Sequence, residues 1–112
     1  MIRVTVRTGT DGKQTPRTIG LKLTGHSGLA AAGSDILCAA VSVLSENLGA
    51  SLEHLLESPV TIEQASGHYE VTRPAAATSQ AAELLFASTL LGLRALARDY
   101  PERVTITDEK IA

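Results

Sequence analysis

The chain has 112 residues, of which 44% are hydrophobic and 20% charged, and this composition predicts one globular domain spanning residues 1–112. A net charge of −2, with two Tyr, one Phe and no Trp, argues against a dedicated nucleic-acid binder, which needs a basic patch and stacking aromatic side chains. A single cysteine excludes an internal disulfide framework, and because neither a signal peptide nor an apolar run of membrane-spanning length is visible, we expect a cytoplasmic protein with no membrane partner.

The first 24 residues predict a β-hairpin. Residues 2–7 alternate apolar and polar side chains, and the alternation resumes over residues 19–24, which is the period of a half-buried strand. Asp11-Gly12 lies between the two segments and is a turn signal, because glycine accepts the positive φ that tight turns need.

Two helices are predicted further along the chain. Ser34 or Asp35 is a candidate N-cap for the first, which carries one apolar stripe and has Gly49 as a plausible stop, with a shorter helix possible before Pro59. The second runs from Ser79 to about Arg98, and its apolar residues cover most of its circumference. We therefore expect the second helix to be buried on several sides, in the core or at a dimer contact.

The remaining elements complete an α+β fold. Residues 60–73 predict a second hairpin that turns near Ser66-Gly67, and residues 103–107 predict a last strand. The order is then roughly ββαββαβ, which favours a small domain with two main helices packed on a mostly antiparallel sheet.

His26 and Cys38 are the candidate chemical groups. His26 ends the second predicted strand, and Cys38 lies in the first turn of the first helix, where unpaired amides and the helix dipole favour negative charge. The two flank a run of small residues, 27–34. Gly33 within this run and Gly25 before it permit either a tight connection or a closing flap. The structural alternative to a nucleophile and its base is a small, partly buried Cys38 with His26 as a surface residue or a hydrogen-bonding corner.

Metal and cofactor sites are not indicated. One Cys and three scattered His reproduce no familiar zinc-ligand spacing, and no phosphate-binding glycine motif is present. We therefore expect neither a metal nor a cofactor.

The pattern across this region is similar to a known family. The sequence has Gly-His at 25–26, then Asp-Ile-Leu-Cys-Ala at 35–39, and then Ser42, with the Cys twelve positions after the His. This pattern resembles the ribosomal-processing cysteine proteases (Prp) of bacteria. The resemblance covers essentially the whole chain. It implies a cytoplasmic, homodimeric endopeptidase that removes the N-terminal extension of a large-subunit ribosomal protein.

The resemblance also implies roles for individual residues. Cys38 would be the nucleophile and His26 the general base, while Ser42 would shape the pocket and Gly25 and Gly33 would support the loop. Asp35 would either orient the imidazole or cap the helix and anchor the loop, and we favour the cap. Family loops contain acidic and aromatic residues that residues 27–34 lack, so the cleavage motif stays open.

Two other functions compete with a protease. In a non-catalytic ribosome-assembly or protein-binding module, His26 and Cys38 would be structural, and the acidic surface would bind basic ribosomal tails, since eleven of the twelve acidic residues follow residue 24. Direct nucleic-acid binding through the basic N-terminal strands is disfavoured, because Arg3 and Arg7 share a face that is usually only solvated.

Overall fold

Five strands and two helices make up the part of the chain that the computed structural model describes, namely residues 1–10, 16–26, 35–74 and 79–111. The order ββαββαβ is the predicted one. The elements are β1 (Ile2–Thr10), β2 (Pro16–Thr24), α1 (Ile36–His54), β3 (Thr61–Ala65), β4 (His68–Thr72), α2 (Gln80–Asp99) and β5 (Val104–Lys110). The predicted turn at Asp11-Gly12 lies outside the described residues.

The strands form one sheet in the order β3-β4-β2-β1-β5. Each neighbouring pair is antiparallel except β1 and β5, which are parallel. The parallel pair follows from the chain path, because α2 carries the chain from β4 across the sheet to the far edge of β1. The predicted mostly antiparallel sheet is confirmed.

The core lies on one face of this sheet. The period-2 pattern places Val4 opposite Leu23 and Leu23 opposite Tyr69, so that apolar side chains of three strands form one surface. Both helices pack on that surface, with Leu48, Phe86 and Leu93 at most 1% exposed. Burying each such side chain contributes about 1.5–3 kcal/mol, which holds the two layers together.

α1 continues through the glycine that was predicted to end it. Gly49 lies in the helix interior, where a Cβ would come within 2.0 Å of the Tyr69 hydroxyl oxygen. Glycine is needed here because the tyrosine of β4 packs directly against the helix backbone. The expected stop at Gly49 and the separate short helix after it are therefore wrong, and a single helix runs to His54.

A buried arginine fastens the start of α2 to the sheet. Arg73 is 3% exposed, donates from Nε to the Thr18 carbonyl oxygen over 2.9 Å and pairs with Glu83. Glu83 also accepts from the Thr18 amide over 2.8 Å, and the Arg73 guanidinium lies 5.6 Å from the Phe86 ring centre. β2, β4 and α2 thus meet at one ion pair.

The outer faces of the helices have apolar residues without a covering layer in the described chain. Leu84 and Leu91 of α2 are 70% and 74% exposed. In the single chain one face of α2 meets the sheet and a second meets α1, so core packing alone does not bury the helix on all sides. The dimer contact stays a prediction. By length and composition α1 could cross a membrane, but Val41, Leu48 and Leu52 of that helix are buried in the core.

Candidate active site

A cavity of about 330 Å³ lies where the end of β2, the start of α1 and the β3–β4 turn meet. Both chemical candidates from the sequence line it. The fourteen lining residues are Ile2, Leu23, Gly25, His26, Asp35, Cys38, Val41, Ser42, Glu46, Gln64, Ala65, Gly67, His68 and Tyr69. Five of the six predicted site residues therefore surround one cavity, and the sixth, Gly33, lies outside the described residues together with the rest of residues 27–34.

His26 is placed by a turn that only glycine makes easily. Gly25 has φ +93°, and a Cβ on it would lie 2.2 Å from the carbonyl oxygen of Met1. The Gly25 amide donates to the Gly67 carbonyl oxygen over 2.9 Å, and the Met1 amine donates to the His26 carbonyl oxygen. These contacts join the end of β2 to the β3–β4 turn and to the first residue of the chain.

The imidazole of His26 rests against the β3–β4 turn. A Cβ on Gly67 would lie 2.8 Å from Nε2 of His26, and Gly67 has φ +69°. A larger residue there would meet the ring and strain the turn. Sequence reasoning identified Gly67 only as a turn residue, because nothing in the chain order shows that this turn lies under His26.

Cys38 is placed by the cap of α1. Oδ1 of Asp35 accepts from the amides of Leu37 and Cys38, each over 3.0 Å, while the Asp35 carbonyl oxygen accepts from Ala39 over 3.1 Å. Asp35 is 7% exposed, and Cys38 is half-buried beside the core. The predicted N-cap at Asp35 is confirmed.

The cap changes the expectation for oxyanion stabilisation. Free amides at a helix start, which the sequence predicts beside Cys38, can hold a developing oxyanion. The amides of residues 37–39 instead donate to Asp35, so those donors would reach a substrate oxygen only by sharing or leaving that bond.

One face of α1 continues the cavity beyond Cys38. Ser42 and Glu46 follow Cys38 at intervals of four residues, which places all three on the same side of the helix. Gln64 of β3 donates to the Glu46 carboxylate from across the cavity. The predicted position of Ser42 beside Cys38 agrees with this arrangement.

Tyr69 forms part of the cavity floor at the Glu46 end. Burial raises the pKa of the Tyr69 phenol, and the negative charges of Glu46 and Glu53 raise it further. Sequence reasoning missed Glu46, Gln64 and Tyr69, because they come together only when α1 packs on the β3–β4 hairpin.

Strand pairing also assembles a group of metal-type donors that sequence spacing did not indicate. Ligand atoms of Glu63, His68 and Glu70 lie within 4.8 Å of one another. Glu63 and Glu70 are opposite each other in the ladder, and Glu70 is already paired with Arg7. The arginine therefore competes with any metal ion for that carboxylate.

Comparison with known proteins adds a family to this geometry. The family model described as cysteine protease Prp matches residues 1–105. A search of curated proteins gave no match. The crystal structure of SMU.848 from Streptococcus mutans is 33% identical, with a TM-score of 0.75, covering 99% of this chain and 96% of that one.

Two more distant structures share the fold. Both are of an essential ribosomal processing protease Prp from S. aureus, one with a covalently linked product peptide and one with a substrate peptide. Each is 18% identical and covers 95% of this chain and 99% of the other, with TM-scores of 0.79 and 0.75. At that identity the likeness shows the fold, with one domain, two helices and a five-stranded sheet.

Proposed function

The chain belongs to the Prp family of cysteine proteases, and we propose that it is the endopeptidase that removes the N-terminal extension of a bacterial large-subunit ribosomal protein. The observation that carries the proposal is the shared cavity of Cys38 and His26. The two side chains arrive from different elements, a helix start and a strand end. A thiol and an imidazole that line one cavity can both face the same bound peptide.

In the proposed mechanism Cys38 is the nucleophile. His26 takes the proton of the Cys38 thiol as the sulfur attacks the scissile carbonyl carbon, and it then gives that proton to the leaving amine as the peptide C–N bond breaks. The acyl group then remains on sulfur as a thioester. Water then attacks the thioester and gives a proton to His26. His26 passes that proton to the sulfur as the C–S bond breaks, which releases the new carboxyl terminus and the thiol. Only side chains of this chain and water take part, so no metal or cofactor is required.

The supporting residues act by position. Asp35 holds the first turn of α1 and thereby the direction of Cys38, since its carboxylate binds the Cys38 amide. Ser42 lies one turn further along the same face and would contact the bound peptide. Gly25 provides the turn that presents His26.

We also propose a cytoplasmic homodimer. The exposed leucines of α2, Leu84 and Leu91, are spaced seven residues apart and so share one helix face. A second copy packed there would bury both. The single cysteine suits a reducing compartment.

The test uses the large-subunit ribosomal protein of the same organism with its N-terminal extension intact. Intact-protein mass spectrometry follows its mass during incubation with each protein. We expect one cut by wild type and none by Cys38→Ala or His26→Ala. His54→Ala is the matched control, because this exposed histidine of α1 lies outside the cavity, and it should cut normally. A full-rate cut by Cys38→Ala, or no cut by folded wild type, would refute the proposal.

A further inference from the structure

The cavity extends as a groove between α1 and the β3–β4 hairpin. Cys38 is at one end and Glu46 at the other, eight residues along the helix. At about 1.5 Å of rise per residue these positions are roughly 12 Å apart. An extended peptide advances about 3.3 Å per residue, so the groove accommodates three or four residues on one side of the bond at Cys38.

The far end of the groove carries negative charge. Glu46 is exposed, and its carboxylate accepts a hydrogen bond from the neutral Gln64 amide. Within the described ranges, no Lys or Arg pairs with Glu46. A carboxylate at the end of a peptide groove, already held in place by a neutral donor, is oriented to bind a further cationic donor.

The negative charge of Glu46 also acts on Tyr69, which forms part of the groove floor. The pKa of Tyr69 is raised in part by the Glu46 carboxylate, which means that the negative potential of Glu46 reaches into the groove. Glu53, about two turns further along α1, adds to it without lining the cavity. An acidic substrate side chain would be repelled here, and an apolar one would remove water from the carboxylate without replacing its hydrogen bonds.

We propose that Glu46, held by Gln64, is a specificity subsite that binds a Lys or Arg side chain of the substrate two to four residues from the bond at Cys38. The subsite deepens the proposed protease function, since it is defined relative to the nucleophile. It determines which peptides bind productively and takes no part in bond breaking. The preference arises from one exposed ion pair, so it should be about two- to fivefold over a neutral side chain and should weaken with salt.

The test separates binding from cleavage. Full-length Cys38→Ala protein is immobilised and used to select from a library of random twelve-residue peptides, whose enrichment is read by sequencing. We expect enrichment of Lys or Arg at one position relative to the rest of the selected motif. Adding Glu46→Gln should abolish that enrichment, and Glu46→Lys should replace it by Asp or Glu. Glu53→Gln is the matched control, and it should leave the enrichment in place.

The peptide selection tests the Glu46 subsite alone. Selected motifs without a basic position, a basic position that survives Glu46→Gln, or no selective binding at all would overturn it. Because the selection uses a protein without its thiol, its result is independent of the mass-spectrometric cleavage test. A failed cut together with Glu46-dependent selection would refute the protease proposal and leave a basic-peptide groove.

Discussion

Replacing Gly67 tests whether the β3–β4 turn positions His26, the proposed catalytic base. A Cβ at this position would lie 2.8 Å from Nε2 of His26 and 3.4 Å from two ring carbons. Ordinary contact begins near 3.4 Å, so the imidazole would have to move by about 0.6 Å. A misplacement of about 1 Å costs on the order of 100-fold in rate, and we therefore expect Gly67→Ala to lower kcat about ten- to hundredfold.

The same substitution also carries a backbone cost. Gly67 has φ +69°, and alanine in that region costs about 1 kcal/mol of stability. Gly67→Asn separates the two effects, because asparagine tolerates positive φ better yet carries the same Cβ. Both variants should lose activity, while the asparagine variant should be the more stable in urea titration.

The assay measures kcat on the extended ribosomal protein alongside the NMR chemical shifts of the His26 ring. Ser66→Ala is the control, because this exposed neighbour lies in the same turn outside the cavity. Wild-type kcat in both folded Gly67 variants would refute the reasoning. Activity that returns in the asparagine variant in proportion to its stability would show that backbone strain, and not the ring contact, is responsible.

Three further predictions concern stability, each measured by urea unfolding. Asp35→Ala removes the acceptor of two hydrogen bonds in the first turn of α1 and should cost about 1–2 kcal/mol of stability. Asp35→Asn can still cap the helix and should cost less. Equal losses of stability in the two variants would contradict the capping role. Arg73→Met should cost about 2–3 kcal/mol of stability, which is less than the loss of a fully buried ion pair because Glu83 is 36% exposed. An unchanged unfolding midpoint would contradict the role of the Arg73–Glu83 pair in joining α2 to the sheet. Burial and two nearby carboxylates raise the pKa of Tyr69, so the stability that this shift contributes is full below the unfolded pKa of 10.0 and is lost as the pH rises through the folded pKa. Tyr69→Phe should flatten that decline in stability. A decline parallel to that of wild type would contradict the prediction.

The strands and helices and their order along the chain could be predicted because local patterns carry them. Alternation over residues 2–7 and 19–24 determines which side chains face the core, since successive residues of a strand point to opposite faces. The cap at Asp35 was also predictable, because a carboxylate beside free amides needs no distant partner. Gly49 misled the prediction of the helix end, since the Tyr69 hydroxyl that requires glycine there comes from a strand twenty residues away.

The sequence determined the chemical candidates of this protein, whereas the tertiary structure decided their surroundings. His26 and Cys38 stand in a motif of fixed spacing, at a strand end and a helix start, and such positions follow from neighbouring residues. Gly67 beneath the imidazole, and Glu46 with Gln64 at the groove end, belong to segments separated along the chain. Their contacts depend on how α1 and the β3–β4 hairpin pack together, and packing is a property of the whole core that no local pattern contains.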